Sequence, residues 1–515
     1  MFSKVSTYAL VGIEGYHVSV ETDIAPGLPN FSLVGMPTTS VKEARERVRA
    51  AIKNAGYTFP SRRITVNLAP ADFKKQGSAF DVAIAAGILA ASGQLPPSAL
   101  QDKVIVGELS LDGYIREIPG ALAIASAIKE DKQSFQLAPQ LILPQGNARE
   151  ASFVQGLAVK GVKSLLDLVS LLKEEKHIPD TIPDRRGLAS LEEGAAGGDF
   201  DEVKGQASVK RALEVSAAGG HNVLLTGPPG AGKTMLARRL PSILPSMSLE
   251  ECLEVTKIHS VAGLLKPGLP LITERPFRSP HHTATAVGIL GGGRSPRPGE
   301  VSLAHRGVLF FDEFPEYSRE VLEGLRQPLE ENRIAITRSE LAVEYPAEFM
   351  FVAAQNPCPC GYFMHPWKKC TCSELQVQRY RVKSSGPLMD RVDLHVEVPS
   401  LKYNDLEGEE KGESSSVIRA RVEKARGVQG KRFGENYAVK CNASMSHKDL
   451  KEFCPLDDKS KNFLSKAFNK LNLSMRAYDR IIKVARTIAD LTEEEKINYM
   501  HIAEAVQYRS LDREV

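Results

Sequence analysis

The sequence predicts an α/β protein in three domains, and three features carry that prediction. Apolar, strand-like runs alternate with helical patterns from Tyr8 to about Lys173. A second α/β series opens at 223–225, where an apolar run leads straight into a glycine-rich loop and a helix. After Ser400, an acidic and serine-rich stretch at 407–416 gives way to helical patterns that continue to the last residues. The expected division is 1–173 for an N-terminal α/β domain, 174–200 for a linker, 201–400 for a nucleotide-binding core and 401–515 for a helical lid.

Composition sets the outer limits. A chain of 515 residues, 25% of them charged, is long enough for several buried cores, and no apolar stretch is long enough to span a membrane. Residues 1–5 lack the apolar core and small-residue cleavage site of a secretion signal, so a cytoplasmic location is expected. The net charge of +3 neither requires nor excludes nucleic acid, because a ring that threads DNA needs basic side chains only in its channel.

In the N-terminal domain, strands are expected around 9–13 and 17–20. A helix is expected over 39–55, where Val41, Ala44, Val48, Ile52 and Ala55 share one face and Lys42, Arg45, Arg49 and Lys53 another. That basic stripe reads first as a solvated face, with phosphate contact as the alternative. Charged residues, prolines and Gly194, Gly197 and Gly198 then cluster between 174 and 198, the composition of a linker.

The chemistry concentrates in the central domain. Gly227, Pro228, Pro229, Gly230, Ala231, Gly232, Lys233 and Thr234 form a complete phosphate-binding loop between strand and helix. The glycines let backbone N–H groups turn toward the β- and γ-phosphates of ATP, Lys233 adds a point charge, and the Thr234 hydroxyl is a ligand for Mg²⁺. The apolar run 307–311 ends in Asp312 and Glu313. Adjacent acids there divide the work: Asp312 holds the metal through water, and Glu313 polarises the attacking water. A third strand, 349–354, ends in Gln355 and Asn356; the Asn356 amide orients the same water, or is simply a turn residue before Pro357. Each signal has a bland reading alone. In this order, phosphate loop, acidic strand and polar-tipped strand specify an ATPase of the AAA+ class.

Hydrolysis also calls for positive charge at the γ-phosphate. Arg391, within 385–393, is expected to act in trans on a neighbouring subunit's ATP, which implies a ring. Arg476, at the start of a helical pattern, is expected to reach the nucleotide in cis from the lid. A surface ion pair is the plain alternative for either. Four of the seven cysteines, Cys358, Cys360, Cys370 and Cys372, fall in one short segment. Four thiolates suit tetrahedral Zn²⁺; a redox pair or unliganded thiols are the alternatives, and His365 is close enough in sequence to replace one ligand. Cys252, Cys441 and Cys454 read as buried, inert thiols.

Further motifs accompany these: Arg-Pro-Phe-Arg-Ser-Pro-His-His-Thr at 275–283, Gly-Gly-Gly at 291–293, Pro-Gly-Glu-Val-Ser-Leu-Ala-His at 298–305 and Asn-Pro-Cys-Pro-Cys-Gly at 356–361. With them the chain resembles, end to end, the ComM/YifB family of bacterial AAA+ ATPases related to the magnesium-chelatase ATPase subunit. The resemblance implies a homo-oligomer, a hexameric ring, with two inserts facing its channel. One lies between the phosphate loop and the acidic strand, the other is a hairpin over 331–346. Arg333 and Arg338 of the hairpin and Arg294 and Arg297 of the glycine-rich insert are then candidate phosphate contacts, a solvated arginine being the alternative for each.

The N-terminal domain resembles the fold of Lon-type proteases through 63–68 and 74–81. Ala79 rather than Ser78 stands in the nucleophile's place, and 119–121 offers no lysine for the base, so protease chemistry is not expected. The same segments resemble the tail domain of the branch-migration protein RadA, a scaffold for ring assembly and DNA contact. The family resemblance thus implies an ATP-dependent motor on single-stranded or branched DNA, acting in recombination or natural transformation. The alternative is a magnesium-chelatase-like or MoxR-like ATPase that remodels a protein or metal-insertion complex.

Overall fold

The computed structural model describes residues 1–131, 133–135, 137–183, 198–266, 268–293, 296–338, 341–384, 388–400, 412–434, 439–471 and 473–509. Arg294, the Arg338 side chain, 385–387, linker residues 184–197 and 401–411 lie outside that description. The chain separates into two compact units, Met1–Leu191 with Cys252–Ile272, and Glu192–Glu251 with Thr273–Val515.

The first unit is built on a seven-stranded sheet. Its strands are β1 (Phe2–Val11), β2 (Glu14–Ala25), β3 (Asn30–Val34), β4 (Arg63–Ala69), β5 (Lys103–Ile105), β6 (Gln140–Pro144) and β7 (Ala158–Val162), in the order β3-β4-β2-β1-β5-β6-β7. The β1/β2 and β2/β4 pairs are antiparallel and the other pairs parallel. The first two strands are longer than their apolar runs suggest. Polar side chains on them are buried: the Ser3 hydroxyl donates to Gly87 O at 2.8 Å, whereas the fully covered Thr7 and Thr22 hydroxyls find no hydrogen-bond partner.

The helix Asp81–Ala91 lies on this sheet with every residue buried. Its alanines and Gly87 allow the approach, since a Cβ at Gly87 would stand 2.7 Å from Thr22 Oγ1. The helix expected over 39–55 is divided into Thr39–Lys42 and Ala44–Asn54. Arg47 Nη2 takes the Ser40 carbonyl at 3.4 Å, the acceptor that an unbroken helix would offer to Ala44. Val41, Ala44, Val48, Ala51 and Ile52 are buried while Lys42, Arg45, Arg49 and Lys53 face solvent.

The helix Leu249–Val261 begins in the second unit and ends in the first, whereas its place in the sequence puts it inside the 201–400 core. Tertiary contacts decide this. Within the first unit, Ser260 donates from its hydroxyl to Glu150 Oε2 at 3.1 Å, and the Gly120 N–H reaches Ser260 O at 3.1 Å. Leu253 packs against the apolar cluster of Ile124, Leu143 and Val154.

The second unit carries a five-stranded sheet. Its strands are β8 (Val223–Thr226), β9 (Phe277–Arg278), β10 (Val308–Phe311), β11 (Met350–Gln355) and β12 (Leu394–Glu397), all parallel, in the order β9-β10-β11-β8-β12. The apolar runs that predict β8, β10 and β11 are continuous because these strands are covered on both faces. First in sequence but interior in the sheet, β8 lies between β11 and β12, so a crevice opens beyond its carboxyl end. Arg333–Arg338 and Leu341–Pro346 form the expected antiparallel hairpin, with Ile334 opposite Tyr345.

The helices Ser415–Phe433, His447–Phe453, Asp458–Leu471, Met475–Leu491 and Tyr499–Gln507 bury Val422, Leu450, Leu464, Ile481 and Ile502 in one core with the helix Ala207–Gly219 and the sheet. They belong to the same compact unit as the sheet. A buried ion pair ties them to it: Arg480 binds Asp393, which also accepts the Asn222 N–H at 2.9 Å. Burial alone would raise the Asp393 carboxyl, but Arg480 and His221 beside it hold it well below the usual carboxylate range. Among the described residues, no helix is long and apolar enough to cross a membrane.

Candidate nucleotide site

Parallel neighbours bring the ends of β8, β10 and β11 to one edge, with Thr226 opposite Gln355 and Phe311 opposite Ala353. The glycine-rich loop follows β8 directly. A Cβ at Gly227 would sit 2.4 Å from Val398 O, so a side chain has no room there, and the Gly227 N–H donates to Gln355 O at 3.2 Å. Gly230 and Gly232 adopt φ of +79° and +86°, the left-handed region that L side chains avoid. Gln206 holds the loop from outside through Nε2 to Ala231 O at 2.7 Å.

Lys233 opens the helix Lys233–Arg239 and is only 8% exposed. Its ammonium donates to Gly227 O at 2.6 Å, Pro228 O at 2.9 Å and Asn356 Oδ1 at 3.0 Å. Burial pulls it below the ordinary lysine value, and the nearby Asp312 and Glu313 carboxylates oppose that shift. A desolvated ammonium resting on neutral carbonyls gains by exchanging them for phosphate oxygens, so this cradle fits a polyphosphate. The next residue, Thr234, donates from Oγ1 to Asp312 Oδ2 at 2.7 Å. Hydroxyl and carboxylate oxygens in contact are the donor set a hard divalent cation such as Mg²⁺ prefers.

Glu313 sits two residues past β10 at φ +51°, with its N–H on Asp312 Oδ1 at 3.0 Å and a solvent-exposed carboxylate. Its Oε2 lies 3.4 Å from His282 Nδ1. The segment carrying His282 is held by Tyr317, whose hydroxyl donates to Pro280 O at 2.6 Å and whose ring stacks on Phe311 at 4.0 Å. Lys233 thus meets Asn356 and the adjacent Thr234 meets Asp312, with Glu313 next to Asp312.

Sequence reasoning missed Gln206 and gave His282 no role. His282 falls inside the motif at 275–283, but no spacing rule connects it with an acid thirty-one positions away, a separation that only the parallel β9/β10 pairing closes. Gln206 has no motif of its own; its left-handed φ of +53°, visible only in the fold, marks it.

The two arginines stand in ion pairs of their own. Arg391 is buried, with Nη2 on Glu330 and its carbonyl accepting from Asn222 Nδ2 at 3.0 Å. Arg476 is exposed at the first turn of Met475–Leu491, 3.6 Å from Asp390. Arg297 is exposed, and Arg333 lies between Glu331 at 3.4 Å and Glu344 at 3.0 Å.

The sulfurs of Cys358, Cys360, Cys370 and Cys372 lie within 4.8 Å of one another. His365 stays outside this group: Nε2 meets Ser400 Oγ at 2.9 Å, and Nδ1 accepts from the N–H groups of Trp367 at 3.1 Å and Lys368 at 3.0 Å. Cys252, Cys441 and Cys454 are buried and form no disulfide.

Comparison with known proteins places this geometry in a family. Three family profiles match successive stretches: "Subunit ChlI of Mg-chelatase" over 20–147, "Magnesium chelatase, subunit ChlI" over 199–406, and "Magnesium chelatase, subunit ChlI C-terminal" over 412–509. Competence protein ComM of Haemophilus influenzae is 43% identical over 99% of this chain and 97% of its own length. The uncharacterized protein YifB of Escherichia coli is 42% identical over the same shares, 99% and 97%. The chain belongs to the ComM/YifB family. An uncharacterized protein of Mycobacterium tuberculosis is 42% identical over 98% of both chains. Membership makes this a magnesium-chelatase-like AAA+ protein, for which ATP and Mg²⁺ are the implied ligands.

Proposed function

We propose that this chain is a cytoplasmic, ring-forming DNA motor that uses ATP hydrolysis to drive branch migration in recombination or natural transformation. The supporting observation is the convergence of Lys233, Thr234, Asp312, Glu313 and Asn356 at the carboxyl ends of β8, β10 and β11. A full-length relative named a competence protein supplies the link to DNA.

In this reading Lys233 leaves its loop carbonyls for phosphate oxygens, and Thr234 and Asp312 would hold Mg²⁺. Bound there, Mg²⁺ would spread the negative charge of the triphosphate. Glu313 accepts a proton from the attacking water, and Asn356 orients it. Arg391 exchanges Glu330 for the γ-phosphate of a neighbouring subunit's ATP, and Arg476 exchanges Asp390 for the chain's own nucleotide. The helices of 412–509 act as the lid. The first unit is a Lon-like scaffold for ring assembly, and Arg297, Arg333 and Arg338 meet the DNA backbone in a hexameric channel. The four cysteines hold a structural Zn²⁺.

A second reading follows from the magnesium-chelatase descriptions of the matched profiles: an ATPase that remodels a protein or metal-insertion complex. Purified protein with a synthetic three- or four-strand DNA junction separates the two. The motor reading expects ATP-dependent strand exchange that Lys233→Ala abolishes. ATP hydrolysis with no DNA binding and no junction movement would favour the remodeller.

A further inference from the structure

The segment 356–372 joins two features that the sequence presents as separate. At one end Asn356 accepts from the Lys233 ammonium at 3.0 Å. Two residues on, Cys358 is fully buried, and it stands among the other three sulfurs, 3.4 Å from Cys360 Sγ and 3.7 Å from Cys370 Sγ. Cys360 Sγ is 3.6 Å from Cys370 Sγ, and the Cys360 N–H donates to Cys372 Sγ at 3.4 Å. A tetrahedron of sulfurs around Zn²⁺ with bonds of about 2.3 Å has edges of roughly 3.8 Å, and a disulfide needs about 2.05 Å. The spacing matches the metal cage and not the covalent bond.

The next residue, Gly361, rests on the phosphate loop itself. Its φ is +83°, and a Cβ there would lie 2.5 Å from Pro229 Cδ and 3.0 Å from Pro229 Cγ. Gln355, the residue before Asn356, accepts the Gly227 N–H at 3.2 Å. The cysteine segment therefore touches the phosphate loop at Gly227, Pro229 and Lys233, with Cys358 and Cys360 between those contacts.

We propose that the four-cysteine centre is a Zn²⁺ site that braces the phosphate loop, so that nucleotide affinity depends on its metal occupancy. The brace rests on the nucleotide-binding reading above and deepens it. Four thiolates with no other ligand close the coordination sphere, so the ion is structural, its effect being to hold Asn356 and Gly361 against Lys233 and Pro229. Without it nothing holds the four sulfurs together, the segment loosens, and the loop loses its outer wall.

The test uses the full-length protein, zinc content by elemental analysis and binding of a fluorescent ATP analogue in excess Mg²⁺. Native protein should carry one Zn²⁺ per chain. Stripping with a chelator should weaken nucleotide binding tenfold or more, and Zn²⁺ added back should restore it. Because a stripped chain could simply unfold, Gly361→Ala supplies a second arm: it should keep its Zn²⁺ and its thermal midpoint within a few degrees yet bind nucleotide several-fold more weakly. Native protein without zinc, or equal affinity in the zinc-loaded and stripped forms, would overturn the brace and leave the motor reading standing. Zinc-loaded protein that binds no nucleotide would sink both.

Discussion

The two sheets of this chain bury comparable apolar cores but spend their polar residues differently. In the second unit, polar side chains gather at the strand ends and meet one another across elements: Lys233 with Asn356, Thr234 with Asp312, Glu313 with His282. In the first, Lys75, Ser78 and Asp81 of the segment 74–81 are taken up by contacts within the fold. The Lys75 ammonium donates to Phe73 O at 3.0 Å and to Pro70 O, and lies 4.0 Å over the Phe73 ring. Ser78 donates to Glu108, and buried Asp81 takes both arms of Arg47 at 2.7 and 3.0 Å. Lys233 also rests on carbonyls of its own loop, but beside Asn356 and at the crevice beyond β8, where a ligand's oxygens have room to replace them.

Substitutions that should split the units sharpen this contrast. The largest effects belong to the second unit. Lys233→Ala should abolish nucleotide binding, and Glu313→Gln should retain binding while slowing hydrolysis about 10³-fold, as removal of a general base does. Normal turnover in Glu313→Gln would remove that residue from the mechanism. Arg391→Ala should leave single-chain binding intact and reduce turnover by a comparable factor, with partial recovery on mixing with Lys233→Ala chains. No recovery would count against action in trans.

Stability effects come next. Asp393→Asn leaves the Arg480 guanidinium facing a neutral amide and should cost about 3–5 kcal/mol, measured by denaturant unfolding of the second unit. Because the folded Asp393 carboxyl is depressed, its stabilisation is complete above the ordinary carboxylate range and is lost as pH falls toward the folded value. Glu150 in the first unit has the opposite sign. Burial lifts its carboxyl from 4.5 to about 7, against hydrogen bonds from Asn147 and Ser260. The protonated form is favoured in the fold, so that unit should lose about 3 kcal/mol as pH rises from 4.5 through about 7. Glu150→Gln should flatten the pH dependence; an unchanged profile would place the buried titration elsewhere. The smallest effect is expected of Ser78→Ala, which should shift first-unit stability by about 1 kcal/mol and leave ATP turnover unchanged. A large loss of turnover would blur the division between the units.

Legibility in the sequence followed the same line. The runs 223–225, 307–311 and 349–354 are apolar on both strand faces, so they announced β8, β10 and β11, and the polar residues at their ends announced where a ligand would sit. The 331–346 hairpin came from the family resemblance and not from local pattern, and it is present. What local pattern does not encode is which unit an element joins. The helix Leu249–Val261 reaches the first unit through Leu253 and Ser260, and the Ser260 bond to Glu150 spans 110 positions. The 39–55 helix divides at Glu43, where Arg47 takes the Ser40 carbonyl. Arg391 looks solvent-facing by composition, yet its pair with Glu330 buries it. His282 meets Glu313 only because β9 and β10 run side by side.

The account turns on whether the strand-end cluster of the second unit couples ATP to DNA. The most direct measurement is steady-state ATP turnover by the wild-type protein with and without a branched DNA, beside Glu313→Gln. The account predicts basal turnover that rises several-fold with the junction, and turnover about 10³-fold lower under both conditions in Glu313→Gln despite intact nucleotide binding. Turnover indifferent to DNA of every structure would contradict it.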